Sequence, residues 1–420
     1  MGRKMKNSGI EWIGEIPEDF SLKKVKHVCG ILDQFRSPVT ADKRNQNSDV
    51  LYDYYGASGV IDKIDGYTID DHVMLIGEDG ANLRMRNLPL LYEVNGKAWI
   101  NNHAHILKPK RDNNFYFLMY GLESLDINPY ITGSAQPKLN QENLKNMWIP
   151  IPPYRKQCQI ADFLSARCAH IDSILNKTRT SIEEYKKLKQ SIITQAVTKG
   201  IHPNRKMKDS GIEWIGEIPE EWDSMNPKAL FTQRKDRAKN GERQLTASQQ
   251  FGVIYQDEYM ERTGTKVVTV EKDFDILKHV EMGDFVISMR SFQGGLEYSE
   301  YTGSISSAYV MLIPNVELVF PHYYKWLLKS SVYINALQST SNMVRDGQAM
   351  RYSNFAQVRL FMVPLEEQKE IANYLDVKIS KINTLISKKE QLLTELENYK
   401  KSLIFEYVTG KKEVPVAWVA

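Results

Sequence analysis

Two stretches of the chain carry one long apolar stripe each. After Pro153, apolar residues recur at Ile160, Leu164, Ile171, Ile174, Ile182, Tyr185, Leu188, Ile192 and Ala196, in steps of three, four, seven and eight. After Pro364 the stripe runs Ile371, Leu375, Ile379, Ile382, Leu385, Leu392, Leu396, Tyr399, Leu403 and Tyr407. No proline or glycine interrupts either run before Gly200 and Gly410, which stand where helix ends are expected. Each stretch predicts a helix of about 45 residues, roughly 65 Å long. A helix with one apolar stripe needs a partner, so the two are expected to pack antiparallel as a coiled coil.

The segments before these helices read differently. In the first half, Val73 to Gly80 and Ala98 to Leu107 predict strands and Phe115 to Leu125 a helix. In the second half, Lys266 to Val270, Asp284 to Arg290 and Ala308 to Pro314 predict strands, and His322 to Ser330 a helix. Both regions contain glycine turns and read as α+β.

Self-comparison explains the alternation. Arg3 to Glu18 reads RKMKNSGIEWIGEIPE, and the string returns 202 residues later from Arg205 to Glu220 with Asp209 in place of Asn7. PYRKQCQIADFL from Pro153 lines up with PLEEQKEIANYL from Pro364. The intervening stretches share almost no identity. The expected architecture is a pseudo-two-fold internal repeat of two globular α+β domains joined by two long antiparallel helices. The expected divisions are 1–150, the helix 151–200, a second domain 201–363, the helix 364–412 and a tail 413–420.

Composition narrows the class. The 420 residues are 42% hydrophobic and 25% charged, which suits a folded protein of more than one core. The net charge of +3 leaves any nucleic-acid surface to be local. Three cysteines without a C-x-x-C pair build neither a disulfide framework nor a cysteine zinc site, and no run of about 18 apolar residues occurs. A cytoplasmic protein without membrane association is expected.

Catalytic motifs are tested by exclusion. No G-x-x-x-x-G-K-[ST] loop occurs, and no two glycines are separated by a single residue, so nucleotide and methyl-donor loops of the G-x-G kind are missing. Pro152-Pro153-Tyr154 resembles the tail of an amino-methyltransferase motif, but Ile151 stands where a hydrogen-bonding residue is needed. There is no Pro-Asp dipeptide to start a nuclease carboxylate pair. His103 and His105 lack a clear third metal ligand and read as ordinary strand histidines.

The duplicated K-M-K-x-S-G-I-E-W-I-G-E-I-P opening, the P-x-x-x-Q-x-x-I-A-x-[FY]-L helix starts and the V-T ends at Val197 and Val408 together resemble the specificity subunits of type I restriction-modification systems. Glycine-rich strings at Gly77 to Arg84, Thr132 to Asn140 and Arg290 to Ser299 are similar to turns of that family's target recognition domains. The resemblance implies a non-catalytic subunit that binds a bipartite, asymmetric double-stranded DNA site. It would assemble with two methyltransferase subunits and, for cleavage, two restriction subunits, into a complex with adenine methyltransferase and endonuclease activity. S-adenosylmethionine, ATP and Mg²⁺ would be held by those partners, leaving no cofactor or metal in this chain.

By residue type, candidate DNA contacts are Arg84, Arg86, Gln136, Lys138, Arg290, Gln293, Arg345, Gln348 and Arg351. Arginine and lysine serve guanine or phosphate, and glutamine serves adenine. Two other classes compete: a self-contained DNA-modifying enzyme with an unrecognised active site, and a coiled-coil scaffold without DNA binding.

Overall fold

The computed structural model describes residues 3–44, 49–270, 276–288, 296–340 and 351–419. It divides into two compact units, one of residues 1–179 with 391–420 and one of residues 180–390. Each long helix therefore contributes one segment to each unit. The helices span Tyr154–Lys199 and Leu365–Val408, 46 and 44 residues.

In the first unit, Leu164, Ile171 and Leu175 pack with Leu403, Ile404 and Tyr407, and Phe163 meets the Tyr407 ring at 4.6 Å between centroids. Lys400 Nζ donates to Asp172 at 2.6 Å and Arg179 pairs with Glu397 at 2.6 Å. As one number rises the other falls, so the segments are antiparallel. The same holds in the second unit, where Lys189 Nζ donates to Asn383 at 2.8 Å and Lys389 lies over the Tyr185 ring.

The expected stripe needs correction in its middle. Leu188, Leu385, Leu392 and Tyr399 are exposed, whereas Leu175, Ile193 and Val197 are buried. The sequence reading followed steps of seven through Leu385, Leu392 and Tyr399. A helix of 3.6 residues per turn carries such a series off the seam by about 20° per step.

A six-stranded sheet forms the first unit's recognition-sized region. Its order is Cys29–Ile31, Ala104–Pro109, Ile69–Gly77, Leu91–Ile100, Tyr52–Gly56 and Gly59–Ile64, antiparallel except between Tyr52–Gly56 and Leu91–Ile100. The apolar run Ala98 to Leu107 is two strands, not one. Asn101 Oδ1 accepts from the His103 amide at 2.8 Å and closes the turn between them. The second unit has a smaller sheet: Phe231–Arg234, Tyr309–Pro314, Phe285–Ser288 and Glu297–Tyr298. Lys266 to Val270 is not a strand. Val268 is 88% exposed, and the Val270 amide is held by the Gln244 side chain at 3.0 Å.

The hairpin that opens the frame around these regions repeats in the same register. Met5–Asn7 pairs with Glu15–Pro17 in the register Met5↔Pro17, and Met207–Asp209 pairs with Glu217–Pro219 in the register Met207↔Pro219. The Ser8 and Ser210 hydroxyls accept from the Ile10 and Ile212 amides. Asn7 and Asp209 each accept from a glycine amide through Oδ1, so their exchange changes nothing in the turn. A second shared strand pair follows, Ser21–Lys24 with Trp148–Ile151 and Asp223–Met225 with Leu360–Met362.

Each hairpin sits against the C-terminal end of a long helix. Gly410, at φ 73°, lies so close to Pro17 and Phe20 that a Cβ would stand 2.6 Å from the proline ring. Gly200, at φ 75°, faces Arg205 and Glu367 in the same way. At Gly410 only glycine suits both the backbone and the space, and at Gly200 the left-handed backbone favours it while the side-chain ends of Arg205 and Glu367 close in.

One buried glutamine ties each module to the start of its helix. Gln157, 1% exposed, accepts from the Asn114 amide at 2.8 Å and donates to the Pro152 carbonyl at 3.0 Å. Asn114 caps the helix Phe115–Glu123. Gln368, fully buried, accepts from the Phe320 amide at 2.7 Å and donates to the Leu318 and Val363 carbonyls, both at 2.8 Å. Phe320 precedes the helix Pro321–Leu327. Every partner is main chain.

Gln368→Ala would strand one buried amide and two carbonyls, each costing about 1–3 kcal/mol when unpaired. Its thermal denaturation should show a loss of at least about 2 kcal/mol, whereas Gln357→Ala, at an exposed position, should melt like the parent. Equal melting of the two variants would remove Gln368 from the frame.

Candidate nucleic-acid interface

The structure brings two glycine-rich strings into one surface. Residues 78–86 follow the strand Ile69–Gly77, and residues 132–138 lie more than fifty positions on. Asp79 and Lys138 form an antiparallel bridge, the Gly80 amide donates to the Pro137 carbonyl at 3.1 Å, and the Leu139 amide donates to the Glu78 carbonyl at 2.7 Å. Gly133, at φ 80°, packs against the Gln136 carbonyl and leaves no room for a Cβ. The second loop is thereby folded back on the first.

The candidates fare differently on this surface. Arg84 is exposed and donates to the Gly133 carbonyl at 3.1 Å, across the seam between the loops. Gln136 is exposed at the tip. Lys138, about half exposed, pairs with Glu78 at 3.1 Å. These three present two cations and an amide side by side, groups able to meet phosphate oxygens or base edges.

Arg86 does not belong with them. It adopts a left-handed backbone, φ 52°, and donates to the main-chain carbonyls of Glu123 and Leu125 and to the Glu123 carboxylate. That carboxylate also accepts from the Leu90 and Leu91 amides at 2.9 Å. Burial leaves the Glu123 carboxyl above its ordinary range despite the Leu91 amide, Arg86 and the Leu90 amide. Arg86 is a brace inside the first unit.

Below the loops lies a charged network that the sequence reading missed. Arg36 pairs with Glu78 and with Asp33 at 3.4 Å and donates to the Asn102 carbonyl. Asp33 accepts from His105 Nδ1 at 2.6 Å, from Gln141 at 2.9 Å and from the Ile106 amide at 3.0 Å. His105 Nε2 reaches the Leu139 carbonyl at 2.8 Å, which fixes the strand behind the second loop. Burial pushes the Asp33 carboxyl up, but the bonds from His105 and Gln141 outweigh it and hold it below its usual range. Glu78 is likewise raised by burial and lowered further by Arg36 and Lys138, with a net fall. His103 turns the other way and bonds Asp79 at 2.7 Å, so His103 and His105 share no site. Among the described residues no group of His, Cys, Asp and Glu is arranged to hold a metal ion, and no helix is long and apolar enough to cross a membrane.

In the second unit, Arg290, Gln293, Arg345 and Gln348 lie outside the described residues. Arg351 is exposed, and its amide donates to Asn354 Oδ1 at 3.1 Å at the start of Tyr352–Phe355. The described structure adds Gln249 and Gln250, exposed at the tip between Leu245–Ser248 and Gly252–Tyr255. Arg234, bound to Asp284 at 2.6 Å and to Asp236, is held as firmly as Arg36 is in the first unit.

Two outcomes separate brace from contact. Arg86→Ala should lower thermal stability by about 1–2 kcal/mol and leave DNA preference intact, whereas Arg84→Ala should weaken DNA binding with an unchanged melting temperature. The lowered Asp33 and Glu78 carboxyls stabilise the folded first unit above their unfolded values of 3.8 and 4.5, and that contribution is lost as pH falls through their folded values. Circular dichroism melts should therefore hold level down to about pH 5 and drop below it, with a smaller drop for Glu78→Gln.

Comparison with known proteins places the chain beside one group of relatives. Residues 17–184 match the type I restriction modification DNA specificity domain. A type I restriction enzyme specificity subunit of Haemophilus influenzae is 32% identical over 165 residues, a match that spans 39% of either chain. The MjaX specificity subunit of Methanocaldococcus jannaschii is 27% identical over 96% of both chains. In fold, the chain resembles one solved in work on complex assembly and conformational transition of the type I restriction-modification system, with a TM-score of 0.67, 14% identity, and coverage of 94% of this chain and 99% of that one. Residues 17–184 thus carry a type I restriction modification DNA specificity domain, and over nearly its whole length the chain is similar to the specificity subunits of type I restriction-modification systems.

Proposed function

We propose that this chain reads a bipartite, asymmetric double-stranded DNA site, one half with each unit, and performs no chemistry itself. The observation that carries the reading is the contrast between a frame whose hairpin repeats in the same register and two different sheets inside it. Identical frames with unlike interiors suit two unlike half-sites.

In the first unit, Arg84, Gln136 and Lys138 make the DNA contacts. In the second, Arg290, Gln293, Arg345, Gln348 and Arg351 do so. The two long helices act as the spacer between half-sites and dock two methyltransferase subunits, with two restriction subunits joining for cleavage. S-adenosylmethionine, ATP and Mg²⁺ belong to those partners, and the complex works in the cytoplasm.

Helix length then governs the gap between half-sites. Four residues of strong helix former inserted between Asn176 and Lys189 lengthen one helix by about 6 Å, or one to two base pairs at about 3.4 Å each. Methylome sequencing of a host expressing the insertion variant with its methyltransferase subunit should show unchanged half-sites with a longer gap. Full activity with an unchanged gap would mean that the helices do not set the spacing.

A further inference from the structure

Three ammonium groups converge in the first unit with no carboxylate among their partners. Lys24 Nζ donates to Asn146 Oδ1 at 3.0 Å, and Lys26 Nζ reaches the same amide oxygen at 3.5 Å. Lys110 Nζ donates to the Lys26 carbonyl at 2.6 Å. Strand pairing brings these positions together: Cys29 stands opposite Pro109, and the Lys110 amide donates to the Val28 carbonyl at 2.8 Å. Lys23, His27 and Arg111 adjoin in sequence and are exposed, as are Lys26 and Lys110. None of these six side chains forms an ion pair with a described residue. Asp112, next to Arg111, and Glu142, one turn before Asn146, are outnumbered.

The second unit keeps the frame of this site and drops its charge. The short helix Val25–Val28 returns as Pro227–Leu230, and the bond from Lys110 to Val28 returns as the Asn315 amide donating to the Leu230 carbonyl at 2.8 Å. In that register Lys23, Lys24 and His27 become Met225, Asn226 and Ala229, while Lys110 and Arg111 become Asn315 and Val316. Lys26 alone keeps a cation, Lys228. A backbone that forms without the charge in one copy does not need the charge in the other. A partner bound in two equal copies would need it in both. The cluster therefore serves a ligand met by the first unit alone.

We infer that this cluster is a second DNA-binding site of the first unit, which holds the phosphate backbone of a duplex whatever its sequence. Lysine ammoniums are compact point charges that meet phosphate without the planar fork that selects a base edge. The Trp148 ring face is taken by Lys24 at 5.1 Å, which favours a duplex over the stacked bases of a single strand. The site stands apart from the reading loops. Ala104 lies opposite Gly77, where the loop 78–86 begins, and Lys110 follows six positions on, roughly 20 Å along the strand at about 3.3 Å per residue. The phosphates come either from the flank of the duplex that the loops read or from a second duplex. The inference rests on the proposed function in one respect, that the chain binds DNA.

The test uses the full chain with the methyltransferase subunit of its own system and a long random-sequence duplex, titrated over a range of salt. K24Q/K26Q/K110Q should bind at least about ten-fold more weakly than the parent at low salt. Its plot of log affinity against log salt should be shallower by about 0.9 for each lysine lost. K24R/K26R/K110R and K228Q should stay within about two-fold of the parent, and all melting temperatures should agree. Affinity and slope unchanged in K24Q/K26Q/K110Q overturn the site. A methylome of that variant with an altered half-site also overturns it, because the lysines would then belong to the reading surface. Polyglutamate that displaces the random duplex as well as free duplex does, at equal charge, overturns DNA as the occupant. Should the triple variant fail to fold, K110Q serves, with a slope shallower by about 0.9; an unchanged slope refutes the site. Two further arms name the source of the phosphates. Loss of the lysine dependence when the recognised duplex is trimmed to its half-sites identifies the flank. Capture of a labelled duplex by a parental complex already saturated with trimmed site, and not by the triple variant, identifies a second duplex. Neither result overturns the proposal's sources and the site with them. A parental complex that binds no duplex at all is a different result and refutes the proposed function itself.

Discussion

A buried glutamine amide must have its hydrogen bonds made, and at the head of each long helix it makes them only to main chain. Gln157 holds the Asn114 amide and the Pro152 carbonyl; Gln368 holds the Phe320 amide and the Leu318 and Val363 carbonyls. An attachment of this kind asks nothing of the side chains it grips. The module it holds can therefore change its sequence while staying fastened to the same helix. The glycine ends act alike, since Gly200 and Gly410 admit close approach without specifying what approaches beyond a large ring or a charged head. Divergent interiors within a repeated frame follow from these contacts.

Much of this was legible in the sequence because it is periodic or repeated. The hairpins, the helix starts at Pro153 and Pro364 and the glycine stops were all visible as strings, and the helices Tyr154–Lys199 and Leu365–Val408 occupy the stretches expected. The seam in mid-helix was not, because heptad counting drifts against a 3.6-residue turn. Ala98 to Leu107 looked like one strand because its apolar residues run on through a turn whose only signal is Asn101 with Asn102. Lys266 to Val270 has strand-forming residues but no strand neighbour, and β propensity without a partner decides little.

The interface shows where local reading stops. Arg84, Gln136 and Lys138 are candidates by residue type in glycine loops, and the structure seats their loops side by side. Arg86 has the same type and the same loop, yet its partners Glu123 and Leu125 are nearly forty residues away. The network of Arg36, Asp33, Glu78, His105 and Gln141 could not have been assembled from sequence, since its members are scattered over a hundred positions and carry no motif. A buried charge cluster beneath two loops is costly unless every member is paired. Its bond to the Leu139 carbonyl and its member Glu78 hold the loops from behind, with Arg84, Gln136 and Lys138 on the exposed side.

The central claim is that each module is gripped through its backbone and reads one half-site independently. It is tested most directly by replacing residues 20–150 with the corresponding segment of a relative, keeping Gln157, Gly410 and the hairpin, and sequencing the methylome of a host that expresses the chimera with its methyltransferase subunit. A new sequence at one half-site, with the other half-site unchanged, is the predicted result. Simultaneous change of both half-sites would contradict the account.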